Sequence, residues 1–536
     1  MLIRKLTKVL LLISVFTIAL YGCSGRKEDT NKSMTPANGK LSFTELTKAA
    51  QSEPTYGGSI TVGITQDLDG LDPHKALSAG TKEVLFNIFE GLVKLDYDGN
   101  LVPAVAESYH ISEDGMVYTF TLREGVRFHD GSLVTADDIV YSIKRCADML
   151  TPKDPTVIVE SALSVISDVG STSERTIEIR LKQAETELLP YLTCSIVPKD
   201  YDKLDTKPIG TGPFKFLSYT PLQSIVLERN DQYYMEDTPY LDQVTFKIFS
   251  NTDTAFMDLQ GGNLDILPYI TDSQVSQLPK GYHMESGAMN LIQGLFINNK
   301  VEPFDNKLVR QALCYAVDRQ AVIDMVAGGR GNVIGTNMYP GFKKYYDESL
   351  VNVYPYNPEK SKKLLKEAGY PNGFKFTIKV PSNYQYHIDT AQVIVEQLKQ
   401  VGITAQIQLI EWSSWKSDVY RGRNYETTLV GLAAELAPRQ ALARFRSYAD
   451  NNFMNYINPE FDALYKQGEI EGVEEKKIQL YKQMQAMLTN DAVAVFIQDP
   501  YQMTAVSDDL GGYTYYPIYV QDMSLVYYYK QEFESD

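Results

Sequence analysis

Apolar and polar residues alternate over residues 59–64 (SITVGI) and again over 117–122 (VYTFTL). This is the period of two expected of a strand with one buried face. The second run passes through Arg123-Glu124-Gly125 into residues 126–128, which predicts a hairpin. Thr135 then precedes Asp137, Asp138 and the apolar Ile139, Val140 and Ile143. A threonine oxygen can accept from a free first-turn N–H, and acids favour the positive helix end, so a helix starts there and the paired acids belong to its cap. A second helix opens at Asp305-Asn306, with Val309, Ala312, Leu313, Ala316 and Val317 at three- and four-residue spacing. A third is bracketed by Asn357-Pro358 and Gly369. Residues 374–380, 404–410 and 427–432 read as strands, and residues 392–400 and 478–488 as helices. Strands alternating with helices through the second half predict α/β units around a sheet, and no internal repeat is visible.

The pattern at the start of the chain is of another kind. Residues 1–8 carry Arg4, Lys5 and Lys8 and no acid, and residues 9–20 form an apolar run with Ser14 and Thr17 as its only polar members. That run is shorter than the roughly 20 residues a bilayer span needs. It suits the central region of a secretory signal over residues 1–22. Leu20-Tyr21-Gly22-Cys23 resembles the bacterial lipoprotein box, which implies acylation of Cys23. An ordinary signal peptide with an incidental cysteine is the plainer alternative. Residues 23–56 read as a lipidated N-terminus and polar tether, with the folded body beginning near Gly57.

Composition narrows the function. The chain has 536 residues and a net charge of −17, with 44% hydrophobic residues, so it can bury a large core but lacks the basic surface that nucleic acid requires. The three remaining cysteines, Cys146, Cys194 and Cys314, close at most one disulfide, and Cys314 sits in an apolar helical pattern as a buried small hydrophobe. Five histidines leave little material for a multi-histidine metal centre, and no metal-ligand spacing is present. There is no Gly-x-Ser-x-Gly elbow, His-Glu-x-x-His motif or phosphate loop. The glycine-rich residues 328–335 lack dinucleotide spacing and read as a turn needing positive φ. A secreted hydrolase is therefore a distant second class.

Residues 101–145 closely resemble the signature region of the family 5 extracellular solute-binding proteins, which serve peptide and nickel ABC importers. Leu71-Asp72-Pro73-His74, Phe89-Glu90-Gly91-Leu92, residues 208–216 (PIGTGPFKF), residues 303–318 (PFDNKLVRQALCYAVD), residues 356–370 and Pro459-Glu460-Phe461-Asp462 follow in the family's order. The resemblance implies an α/β, three-domain, two-lobed binding-protein fold with a hinge and an interlobe cleft. Domain I would combine residues 57–92, 205–289 and 500–536, domain II residues 93–204, and domain III residues 290–499. It also implies a monomeric, non-enzymatic, lipid-anchored receptor on the outer side of the cytoplasmic membrane. Such a receptor needs no cofactor, and it delivers peptides to a permease and ATPase. The alternatives are a nickel chelate or another cationic metabolite as ligand, or ligand sensing without transport.

The resemblance places ligand contacts on cleft-facing loops. The loop after the Leu-Asp-Pro-His motif offers Leu77, Ser78 and Ala79. Trp412 resembles a tryptophan of the peptide cleft, with core filling as the plainer alternative. Peptide binders have Gly-Trp-x-x-Asp where this chain has Gly431-Leu432-Ala433-Ala434-Glu435. There the aspartate holds the peptide's α-ammonium; here Leu432 removes an aromatic wall and Glu435 keeps the charge on a longer stem. His387 falls near a histidine beside the carboxyl end of bound peptides, although a surface histidine is the plainer reading. Asp499, where the chain would return to domain I, would supply a second acid for a cationic ligand. Arg439, Arg444 and Arg446 could meet a carboxylate, a solvated arginine face being the commoner arrangement.

Overall fold

Strand β1 (Ser59–Ile64) buries Ile60, Val62 and Ile64 and leaves Ser59 exposed, as its alternation predicts. This computed structural model describes residues 54–530, apart from Leu77, Asp98, Val159, Asn383, residues 433–436 and residues 517–519. The signal segment, the tether up to residue 53 and Cys23 lie outside the described residues, as do Leu77, Ala433, Ala434 and Glu435. After β1 comes helix α1 (Ala79–Leu85), which is capped by Ser78.

Strands β2 (Ala106–Ile111) and β3 (Val117–Leu122) precede helix α2 (Ala136–Cys146), and strands β4 (Ile166–Ser173) and β5 (Thr176–Leu181) follow it. Together they make a four-stranded antiparallel sheet in the order β2-β3-β5-β4. The expected hairpin between residues 117–122 and 126–128 does not form. Instead β3 is flanked by β2, with Ile111 opposite Tyr118, and by β5, with Phe120 opposite Ile177. Residues 126–128 contribute a single bridge, Arg127 to Leu133. Alternation identifies a strand and its buried face but not its partner, and both edges of β3 go to neighbours that add to the same apolar layer. Tyr118, Phe120 and Leu122 pack there against Ile139 and Ile143 of α2. Thr135 caps α2 in a reciprocal box with Asp138, as the sequence predicts.

Strands β6 (Phe214–Thr220), β7 (Ser224–Arg229) and β8 (Gln243–Ile248) form an antiparallel meander, and β8 lies parallel to β1. Strand β9 (Ile266–Pro268) is parallel to β1 on its other edge. Next come β10 (Tyr282–Ala288), β11 (Ile292–Ile297), helices α3 (Lys307–Ala316) and α4 (Arg319–Ala327), and β12 (Gly331–Val333). Helix α5 (Pro358–Glu367), strand β13 (Lys375–Pro381), helix α6 (Gln385–Lys399) and strands β14 (Thr404–Ile410) and β15 (Thr427–Leu432) continue the alternation. Helices α7 (Pro438–Ala443) and α8 (Glu474–Asn490) lead into the long strand β16 (Ala494–Ser507). The main sheet has the order β14-β13-β15-β11-β16-β9-β1-β8-β7-β6, with β10 and β12 also paired to β16.

Asn306 and Asn357 cap α3 and α5 as expected, and Gly369 takes a positive φ after α5. Gly328 ends α4 in the left-handed conformation, the turn expected there. Helix α6 starts earlier than the apolar pattern indicates. Its first turn buries His387 and Ile388, so tertiary burial rather than periodicity decides where it begins. Cys314 is buried in the core under α3, and burial raises its thiol to about 12.

Strand β16 joins two cores. Its first half pairs with β11, with Ala494 opposite Phe296, and its second half with β10, with Ser507 opposite Tyr282. The chain also crosses between β10 and β11 at residues 289–291. The crossings touch where Met289 N–H donates to Pro500 O at 2.9 Å and Leu291 N–H to Asp499 Oδ1 at 3.0 Å. Around β1, β7 and β8 the core gathers Phe214, Leu227 and Phe246; around β11 and β13 it gathers Val309, Leu365 and Ile394.

Candidate functional site

Strands β1, β8 and β9 run parallel on one side of the crossings, and β13, β14 and β15 run parallel on the other. Ligands of open α/β sheets bind beyond the carboxyl ends of such strands, where loops are free to vary. A cavity of about 1060 Å³ lies at these ends. Ile64, Pro268 and Tyr269 line it from β1 and β9, and Gly80 and Glu83 from α1. From the second set come Tyr384, Tyr386 and His387 at the start of α6, Trp412 and Trp415 after β14, and Leu432 at the end of β15. Met289, Leu291 and Pro500 line it at the crossings.

The aromatic wall is built rather than incidental. Trp412 stacks on Trp415 with ring centroids 4.9 Å apart and planes 6° from parallel, and it meets Tyr384 edge-on at 5.5 Å. Trp415 is buried and donates Nε1–H to Thr428 Oγ1 at 2.9 Å, which fixes the ring beneath Trp412. Trp412 is half-buried and lines the cavity with Trp415.

The charges are unevenly distributed. Glu83 is 4% exposed and accepts from the Tyr269 hydroxyl. Burial raises its carboxyl to about 7, against the lowering effect of Tyr269. Lys416, Arg421 and Arg444 bring positive charge to the other part of the lining. Among the described residues, a lining of aromatic faces, one acid and several bases suits a ligand carrying both signs of charge. Among the described residues no group of three or more His, Cys, Asp or Glu could hold a metal ion, and no helix is long and apolar enough to cross a membrane.

The expected site residues separate into two groups. Trp412, His387 and Leu432 line the cavity together. Ser78 serves its own helix, accepting from Thr81 N–H at 3.3 Å and donating its N–H to Asp69 at 2.8 Å, while Gly80 two residues later reaches the cavity. The backbone of Ala79 opens α1. Asp499 is fully buried one residue before the lining Pro500, and burial raises its carboxyl to about 7.

Two plainer readings need correction. His387 is not a surface residue: it is 7% exposed, its Nε2 accepts from Gly431 N–H at 3.0 Å, and its Nδ1 lies 2.9 Å from the Gln293 side-chain amide. Burial lowers it to about 4, so at neutral pH it is an uncharged strut between α6 and β15. The arginines do not form a solvated face either. Arg439 is buried against Glu185 at 2.6 Å, Arg446 stacks over Tyr448 and Tyr465 at 5.2 and 4.7 Å, and Arg444 lines the cavity.

Glu83, Tyr269, Tyr384, Lys416 and Arg421 escape sequence reasoning. Glu83 follows the Leu-Asp-Pro-His loop by only a few residues, so continuing that loop into its helix at i, i+3 would have reached it. Nothing local marks Tyr269, which is brought in by the pairing of β9 with β1.

Residues 100–453 match the sequence profile of the bacterial extracellular solute-binding proteins, family 5. Heme-binding protein A of Haemophilus influenzae is 31% identical over 463 residues, covering 78% of this chain and 82% of that protein. Oligopeptide-binding protein AppA of Bacillus subtilis is 28% identical over 549 residues, covering 96% and 97%. The periplasmic binding protein DppA of Helicobacter pylori, solved with the peptide STSA, superposes with a TM-score of 0.74 at 27% identity, covering 90% of this chain and all of that one.

Proposed function

The chain belongs to the bacterial extracellular solute-binding proteins of family 5, and from that premise we propose that it is the substrate-binding component of an ABC importer, capturing peptides outside the cytoplasm and passing them to a membrane permease. The observation that carries this reading is the cavity at the crossings. Its volume of about 1060 Å³ reaches the top of the roughly 300–1000 Å³ range of small-molecule sites, which leaves room for several residues. Its tryptophan and tyrosine faces accept varied side chains, because every apolar side chain can pack on a ring. Both relatives named for peptides above share most of the chain's length.

Glu83, and Glu435 beyond the described residues, would receive positive groups of the ligand, while Lys416, Arg421 and Arg444 would receive its carboxylate. Residues 57–92, 205–289 and 500–536 would move with residues 93–204 as one lobe, and residues 290–499 as the other, about the crossings at 289–291 and 499–501. Ligand binding would favour the closed form by its differential affinity for the two states. Cys23 would carry the lipid that keeps the monomer at the membrane.

The test combines native mass spectrometry of protein purified from its host with calorimetry and small-angle scattering over a panel of di- to octapeptides. Retained peptides, heat of binding and a smaller radius of gyration are expected, and Trp412→Ala should lose most of the affinity without a lower melting temperature. Silence in calorimetry together with unchanged scattering across the panel would overturn the reading, as would peptide turnover.

A further inference from the structure

Away from the ligand cavity, one face of α2 runs along the segment that follows residue 193. Ser142 binds that segment twice: Val197 N–H donates to Ser142 Oγ at 2.9 Å, and Ser142 O–H donates to Val197 O at 3.1 Å. Residues four apart on a helix share a face, so Cys146 lies one turn beyond Ser142 on the same side. Cys194 lies three residues before Val197 on the strand of chain being held. The segment is pinned between them, with the His74 ring Nε2 2.8 Å from Ser195 O and Ile196 N–H donating to Glu90 O at 2.8 Å. This register sets the two cysteines beside each other at the edge of one apolar cluster. Cys194 packs against the cluster that contains Cys146, and both line a second cavity of about 450 Å³ with Lys82, Glu90, Lys94 and Glu160.

We propose that Cys146 and Cys194 are a disulfide-forming pair, closed by exchange with a low-molecular-weight disulfide that enters this second cavity. The two cysteines are unequal. Cys194 is part-exposed, whereas Cys146 is buried, and its thiol is held well above the usual thiol range by the contact with Cys194 and by burial. Cys194 therefore attacks first. Its thiolate forms a bond to one sulfur of the incoming disulfide, whose S–S bond breaks, and the first small thiol leaves with the proton that Cys194 gave up. Cys146 then attacks the Cys194 sulfur, loses its proton and displaces the second small thiol. Two protein thiols are oxidised, and one small disulfide is reduced to two thiols. The bond ties the end of α2 to residue 194 and closes the loop of residues 147–193, removing freedom from the unfolded chain. Family membership puts the chain outside the cytoplasm, where such a bond persists.

The experiment incubates the full chain with hydroxyethyl disulfide, then alkylates it under denaturing conditions and maps its peptides. The expected result is a protein two hydrogens lighter, a cross-linked peptide joining residues 146 and 194, and Cys314 still alkylated. With Cys146→Ser, a stable mixed disulfide on Cys194 is expected; with Cys194→Ser, no adduct on the folded protein. Alkylation of both cysteines after equilibration, or a mixed disulfide on Cys194 of the unaltered chain that never resolves, would overturn the proposal.

Discussion

Glu187 and Asp499 are both buried carboxylates that burial pushes up, and they differ in what partners them. Glu187 sits in the turn after β5, where Arg439 N–H donates to it at 3.2 Å and the Tyr481 hydroxyl at 2.6 Å. Arg439 binds Glu185 at 2.6 Å as well, so a cation from the start of α7 bridges two acids of the four-stranded sheet's body. Asp499, at the crossings, has no ion pair among the described residues: its Oδ1 accepts from Leu291 N–H at 3.0 Å, and its buried Oδ2 finds no hydrogen-bond partner there. The Glu187 cluster exchanges hydration for a charge partner, which makes it strong only while it is complete. Asp499 keeps its place by spending part of its range uncharged, since burial raises it to about 7. The ion pair joins the turn after β5 to the start of α7 in the conformation seen here. A carboxyl that titrates near neutrality leaves the crossing strands without a rigid charge pair.

The largest expected effect breaks the first region. Arg439→Met leaves the buried Glu187 and the half-buried Glu185 without their cation and should cost about 3–5 kcal/mol in urea unfolding. Adding Glu185→Gln and Glu187→Gln should return most of that loss. If the single variant costs less than ~1 kcal/mol, the cluster does not hold these elements together.

Glu83 sharpens the comparison because it too lacks a cationic partner but faces the cavity. Glu83→Gln should weaken binding of a peptide with a free ammonium by roughly 1.5–3 kcal/mol at pH 8 and leave an N-acetylated peptide almost unaffected. Equal losses for both peptides would detach Glu83 from the charge of the ligand.

Asp499→Asn gives the smallest effect and the clearest sign. An acid raised from its ordinary value of 3.8 to about 7 contributes stability that is complete below pH 4 and lost as pH rises through 7. The unaltered chain should therefore melt lower at pH 8 than at pH 5 by an amount that Asp499→Asn reduces. Identical pH profiles of the melting temperature would show that Asp499 does not titrate in this window.

Much of the molecule was legible before any fold was known. The strands at 59–64 and 117–122 follow from alternation, the strand at 427–432 from a short apolar run, and the caps Thr135, Asn306 and Asn357 from hydrogen-bond needs within one turn. Those local rules name no partner: the hairpin expected after β3 does not form, because period two does not say which strand pairs with which. Trp412 entered through its resemblance to a tryptophan of the peptide cleft, while Glu83 looks like any helical acid until Tyr269 donates to it.

The division has a physical cause. Periodicity, capping and the order of motifs depend on neighbours within a few residues, so the amino-acid sequence by itself determined the α/β alternation, the family and the non-basic character of the chain. Which acids lose their water, which arginine finds them, and which thiol faces Cys146 depend on residues far apart in the chain. Desolvation and Coulomb energy are properties of the packed neighbourhood. Only the tertiary structure decided that His387 is a neutral strut, that Arg439 is a buried clasp and that Asp499 stands at the crossings.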